Sequence, residues 1–214
     1  MTAPAIDGAA WLRERDPVLG RIIDELGAER LGDPRAGRPN DHYGALVRSI
    51  VGQQLSTKAA RAIYARLVAR FDGRTPTPAE VLADDPEELR AAAGLSRAKV
   101  SFLRSLAEHV LDGRLELEKL DMLSDEEVTA ELVAVRGIGP WSADMFLMFH
   151  LQRPDILPVG DLGIRRAFMA LYGLAELPDA ATMVALAEPW RPHRTLACRF
   201  LWRSLDGVAD PLAD

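Results

Sequence analysis

The stretch from Leu132 to Arg166, LVAVRGIGPWSADMFLMFHLQRPDILPVGDLGIRR, narrows the folds open to this chain more than any other. Ser124 and Glu127 have capping-box spacing, each side chain answering the other's backbone N–H, so a helix is predicted from there to about Val135. Gly137-Ile138-Gly139 interrupts it, because glycine accepts backbone angles that other residues resist. Pro140 suits the first position of a new helix, where its missing N–H would be unpaired anyway. Trp141, Met145, Met148 and Phe149 then recur at helical spacing and give that helix an apolar face. Such a hairpin leaves turn amides beside a helix N-terminus, which is an anion site, and a phosphodiester suits so compact a turn. Asp161 stands directly before a further helical pattern from Leu162 to Tyr172, stopped by Gly173.

The remaining segments carry the same period. Val18, Leu19, Ile22, Ile23 and Leu26 predict a helix after Asp16-Pro17, and 32–39 reads as a loop. Tyr43, Leu46, Val47, Ile50 and Val51 form one face of a helix capped by Asn40 or Asp41. Gly52-Gln53-Gln54-Leu55-Ser56 breaks it, and the pattern resumes through Ala59, Ile63, Leu67 and Val68. Thr77 with Glu80 is a second capping box, followed by short helices to Gly94. Further helices are predicted from Ser96 to about Gly113, from Pro178 to Glu188 and from Pro192 to Leu205, the last with Ala197, Phe200, Leu201 and Leu205 inward. No stretch alternates with period two for long enough to make a sheet, so the expected fold class is all-α.

With 214 residues, 48% of them hydrophobic, the chain has material for one domain or two small lobes. No apolar run reaches membrane-spanning length, and MTAPAIDGAAWLRERDP lacks the basic start and apolar segment of a signal peptide. A cytoplasmic monomer is the default expectation, without a membrane partner. One cysteine, Cys198, allows no internal disulfide and no cluster of cysteine ligands. The net charge of −6 argues against a protein that simply coats nucleic acid, but a DNA enzyme depends on its local field. Negative charge concentrates from Asp84 to Glu88 and from Glu116 to Glu131, expected on solvated faces. Positive charge gathers at Arg165, Arg166, Arg191, Arg194, Arg199 and Arg203; scattered surface charge is the alternative reading.

Val135-Arg136-Gly137-Ile138-Gly139 resembles the helix-hairpin-helix motif, and Pro158-Val159-Gly160-Asp161 resembles a Gly/Pro-rich loop ending in an aspartate. Together they resemble the helix-hairpin-helix-GPD superfamily of base-excision DNA glycosylases, over about Asp16 to Asp206. The run from Trp190-Arg191-Pro192-His193-Arg194-Thr195 to Trp202 is similar to the C-terminal helix of the 3-methyladenine DNA glycosylase II branch. The resemblance implies two helical lobes, with double-stranded DNA containing damaged bases crossing the cleft between them. Residues 40–150 would form the central lobe, with the hairpin at about 124–150, and 1–39 would join 151–214 in the other. The implied activity is monofunctional: flipping out and hydrolytic excision of N-alkylated purines of the 3-methyladenine and 7-methylguanine type, acting at the nucleoid.

Asp161 is the candidate catalytic residue. A glycosidic bond to a base breaks through a cationic, oxocarbenium-like sugar, and a carboxylate beside C1′ can stabilise that cation, orient water or accept its proton. Aspartate before a helix is also a favoured N-cap, and both roles can hold together. Trp141 occupies the hairpin position where bifunctional relatives carry a Schiff-base lysine, so no strand cleavage at the abasic site is expected. Trp141, Trp202, Met145 and Leu162 are the implied base pocket, two indoles favouring a cationic alkylpurine by cation–π stacking, with the core as the alternative for either tryptophan. Gln54, with Leu55, is the candidate wedge that fills the vacated stack, or else merely a corner in which Ser56 caps the next helix. Phosphate contacts are expected from Gly137, Ile138 and Gly139, and from Arg165, Arg166 or Arg194 unless these pair on the surface.

No cofactor is expected to be required, and the family's iron–sulfur cluster would have no cysteines to hold it. Relatives often hold a monovalent cation on carbonyls of the turn, which corresponds here to Val133, Val135 and Ile138. Two rival readings remain: a non-catalytic helix-hairpin-helix DNA-binding module, and a glycosylase for oxidised or mismatched bases.

Overall fold

Side-chain caps decide where most of the helices begin. In the computed structural model, which describes residues 3–27 and 31–205, Asp16, Asp41, Ser56, Thr77, Asp85, Ser96, Ser124, Asp161 and Asp179 each accept a backbone N–H from the following turn. Both expected capping boxes are formed, at Thr77–Glu80 and Ser124–Glu127. Among the described residues the regular structure is wholly helical: α1 (Ala3–Arg15), α2 (Pro17–Leu26), α3 (His42–Gly52), α4 (Thr57–Ala69), α5 (Pro78–Ala83), α6 (Pro86–Ala93), α7 (Arg97–Leu111), α8 (Asp125–Val133), α9 (Pro140–Phe149), α10 (Leu162–Leu171), α11 (Ala180–Ala187) and α12 (Arg194–Ser204), with short 3-10 turns between some of them. The all-α expectation holds. No helix among the described residues is long and apolar enough to cross a membrane.

The chain divides into two compact units, 37–146 and 1–36 with 147–214, and the boundary at 146/147 falls inside α9. Residues 206–214, the end of the lobe expected from the sequence, lie outside the described residues. In unit 37–146, α3, α5 and α6 pack against α7 around Leu46, Ile50, Val81, Leu89, Leu103 and Leu106, all essentially inaccessible. Burial on this scale is the main favourable term holding such a unit together. The acidic segment after α5 is not a purely solvated face. Asp84 accepts two bonds from Arg70, at 2.6 and 2.5 Å, and Arg70 also reaches Glu88 at 3.1 Å. That guanidinium pulls the Asp84 carboxyl below its ordinary value.

In the other unit, α1, α2, α10 and α12 enclose an aromatic cluster. Phe168 stacks on Trp190 at 5.2 Å and on Tyr172 at 5.5 Å between ring centroids. Asp16 sits beside it, almost fully buried, and accepts four bonds. Val18 N and Leu19 N reach Oδ1 at 2.9 and 3.0 Å, while Tyr172 OH and Trp190 Nε1 reach Oδ2 at 2.6 and 2.7 Å. Burial, reinforced by Asp16, pushes the Tyr172 phenol well above its ordinary value.

Helix α1 is an addition to what the sequence pattern predicts. It packs through Gly8, Ala9 and Leu12, and a Cβ at Gly8 would lie 2.9 Å from Leu196 of α12. A contact made by one leucine beside small residues leaves little hydrophobic periodicity to read. Leu205, expected inward, is half-buried at the end of α12.

Candidate nucleic-acid interface and buried acid

The hairpin forms where the glycines place it. Helix α8 ends at Val133, the Ile138 N–H closes a turn onto the Val135 carbonyl at 3.0 Å, and α9 starts at Pro140. Gly137 has φ +92°, and a Cβ there would lie 2.1 Å from the Phe102 ring, so no other residue fits. Gly139 faces open space. Val135 and Ile138 are buried beneath the turn, whereas Val133 is exposed.

Across from it, α3 and α4 meet at the corner Gln53-Gln54-Leu55, where Gln54 has φ +57°. That left-handed backbone leaves Gln54 exposed, and Leu55 beside it is also exposed. Ser56 does cap α4, accepting the Ala59 N–H at 3.3 Å, so the corner has the capping role the sequence allowed. Gln53, which the sequence did not single out, ties the corner to the hairpin. Its Nε2 donates to the Gly137 carbonyl at 2.8 Å and to Ser142 Oγ at 3.2 Å. Lys99 from α7 donates to the Val51 carbonyl at 2.5 Å near the end of α3. Gln53, Gln54, Lys99, Gly137, Gly139 and the half-buried Trp141 line a cavity of about 430 Å³.

The Gln53 bonds span most of this unit in sequence and join two turns that nothing else in the pattern connects. Gln53→Ala is expected to lower unfolding free energy by about 1–2 kcal/mol, since it removes both bonds and strands the buried Ser142 hydroxyl. Thermal unfolding checks this, as a midpoint lowered by a few degrees. An unchanged midpoint would mean that the brace carries no load in solution.

In the other unit, Asp161 begins α10 with its side chain nearly covered, at 7% exposure. Its Oδ1 accepts the Ile164 N–H at 2.7 Å and the Trp202 Nε1–H at 3.0 Å. It is therefore both an N-cap and the partner of an indole. Gly163 makes this possible, because a Cβ there would stand 3.0 Å from Oδ1 and 3.2 Å from the Trp202 ring. Trp202 is almost wholly buried and lies against Phe149, with ring centroids 5.7 Å apart. Trp202 is thus packed inside this unit with its N–H holding the acid. Met145 is likewise buried, whereas Leu162 is 47% exposed directly after the acid.

The arginines expected to gather as a positive patch are largely engaged. Arg194 reaches Asp155 through Nε–Oδ1 at 2.7 Å and donates again to its Oδ2 and its carbonyl. Arg191 joins the same carboxylate at 2.5 Å. With its side chain 13% exposed, Arg194 clasps Asp155, as the pairing alternative open in the sequence describes. Arg165 donates to the Pro178 carbonyl at 3.0 Å and Arg199 to the carbonyls of Leu31 and Gly32. Arg166 is exposed.

Comparison with known proteins bears on this arrangement. A family model described as HhH-GPD superfamily base excision DNA repair protein matches residues 47–192. The chain is 36% identical over 172 residues to DNA-3-methyladenine glycosylase 1 of Schizosaccharomyces pombe, covering 79% of this chain and 75% of that protein. It is 41% identical over 135 residues to the DNA-3-methyladenine glycosylase of Saccharomyces cerevisiae, covering 60% of this chain but only 46% of that protein. In structure it resembles the Schizosaccharomyces pombe 3-methyladenine DNA glycosylase solved in complex with abasic DNA, with a TM-score of 0.80 at 30% identity over 97% of this chain and 100% of that one.

Proposed function

Because the chain belongs to the HhH-GPD superfamily of base excision DNA repair proteins, we propose that it is a monofunctional DNA glycosylase excising N-alkylated purines of the 3-methyladenine and 7-methylguanine type. The observation that carries this reading is the Asp161 carboxyl group, held at the start of α10 by a backbone amide and the Trp202 indole.

The reaction is hydrolysis. The bond from C1′ to the base nitrogen breaks, its electron pair leaves with the base, and water supplies the oxygen that C1′ gains. Positive charge develops on the sugar, and Asp161 is the group we assign to stabilise it and to take the proton of the water. The two donors on Oδ1 fix the orientation of the carboxyl group, so little reorganisation is required as charge develops. N-alkylation leaves the purine cationic and already a better leaving group. Trp141 is the accessible indole and the candidate to stack on such a base, worth roughly 0.5–2 kcal/mol over a neutral one. The amides of Gly137 and Gly139 would hold a phosphodiester without reading sequence, with Arg166 as a further candidate, whereas the Ile138 N–H is already taken by the Val135 carbonyl. Gln54 and Leu55 would fill the stack the base has left.

Trp141 stands where a Schiff-base lysine would be required, which supports an abasic product with the strand intact. No cofactor enters the reaction. The Val133, Val135 and Ile138 carbonyls are candidates for a monovalent cation that would stiffen the turn, the Val135 carbonyl also accepting the Ile138 N–H.

The test is to incubate methylated duplex DNA with the protein, count free bases, and assay the strand before and after alkali. Release of 3-methyladenine and 7-methylguanine with breaks only after alkali is expected. Salt-dependent binding without release would favour the non-catalytic module. Release of oxidised bases, or breaks before alkali, would favour the second rival.

A further inference from the structure

Beside the hairpin, on a different face of α7 from the cavity described above, lies a second cavity of about 280 Å³. Its α7 lining residues, Arg97, Ser101, Arg104 and Glu108, recur at helical spacing, and Arg90, Glu87 and Arg136 complete its charged wall. Four guanidinium groups therefore face two carboxylates, in a chain whose net charge is −6. Glu87 is taken up by two of the four, with Arg90 at 2.8 Å and Arg97 at 3.2 Å. Arg104 is held by carbonyls instead, at Val81, Leu82 and Asp84. Arg136 is exposed and makes no hydrogen bond or ion pair among the described residues.

We infer that this arginine-lined basin is a second phosphodiester site, led by Arg136, for the strand that the hairpin grips. Arg136 directly precedes Gly137 in the sequence, so its side chain leaves the chain at the edge of the turn whose amides face the first phosphate. Successive phosphates of one strand advance only about 3.4 Å along the duplex axis, so a neighbour of the phosphate at the turn falls within reach of an arginine there. The surplus of guanidinium groups excludes a cation and favours an anion, and arginine's fork matches a phosphate. Glu87, already neutralised by Arg90 and Arg97, does not oppose it. Phe102 underlies Gly137 on the same helix that lines the basin, so turn and basin share one support.

The inference rests on the reading of the hairpin as the element that grips DNA, and the experiment separates the two. Binding of an undamaged duplex oligonucleotide is measured from 50 to 200 mM salt for the wild type, Arg136→Gln, Arg136→Glu and the hairpin control Gly139→Asp. A Cβ at position 139 meets nothing within 4 Å, so the control adds charge without a clash, and circular dichroism checks each fold. Losing one phosphate contact reduces the slope of log affinity against log salt by about 0.9, so the advantage of wild type over Arg136→Gln should shrink about 3.5-fold across that range. Arg136→Glu should weaken binding further. If both Arg136 variants bind with wild-type affinity and slope while Gly139→Asp binds weakly, the second site is wrong and the hairpin reading stands. If Gly139→Asp also binds as wild type, the hairpin reading fails and this inference fails with it.

Discussion

Asp161→Asn is expected to slow base release from methylated DNA by about 10²–10³-fold while leaving the fold in place. The substitution separates the two things this residue does. Asparagine is as good an N-cap as aspartate, and its Oδ1 can still accept the Ile164 amide and the Trp202 indole. What it cannot supply is negative charge at the sugar or a base for the attacking water. Thermal midpoint and DNA affinity should therefore stay near wild type while the single-turnover rate collapses. Asp161→Ala is expected to behave differently, losing the cap and orphaning a buried indole N–H, and so to lose stability by about 2–4 kcal/mol as well. Undiminished release by Asp161→Asn would remove the carboxylate from the reaction and leave it only as a cap.

The largest effect on stability is expected at the other aspartate that meets an indole. Asp16→Ala deprives four donors of their acceptor at once: two amides of α2, the Tyr172 hydroxyl and the Trp190 indole, two of these bonds buried and two partly so. Removing one side of a buried, charge-assisted network costs about 3–5 kcal/mol, equivalent to roughly 10 °C in midpoint for a chain of this size. Asp16→Asn should recover part of this, since its oxygen serves the amides, but its NH₂ group would confront the Trp190 N–H donor. Urea or thermal unfolding of the two variants measures both values. A loss below 1 kcal/mol for Asp16→Ala would mean that water replaces the carboxylate and that the network contributes little.

Local features of the fold were legible in the sequence and distant ones were not. The capping boxes at Thr77 and Ser124, the glycine break at Gly137 and the cap at Asp161 depend on residues within one turn of each other, so spacing alone reveals them. The clasp of Arg194 on Asp155 joins residues that no period links, and a sequence-only reading left that arginine available to DNA. The same holds for Gln53 on Gly137 and for Trp202 on Asp161. Trp202 illustrates the limit well: an indole on an apolar helix face is equally suited to stack on a base or to hold an acid, and only the partner of its N–H decides. Helix α1 leaves little trace in the sequence because, apart from Leu12, it packs through glycine and alanine, whose burial hardly registers as a pattern.

The backbone at Gln54 has a consequence for timing. A left-handed φ of +57° at a residue with a side chain carries a strain of about 1–2 kcal/mol, which the neighbouring structure must sustain. In return, the direction in which that side chain leaves the corner is set by the main chain itself. In the wedge role proposed for Gln54, the backbone share of the ordering cost would already be met during folding, leaving only the side-chain torsions to be fixed when a duplex arrives.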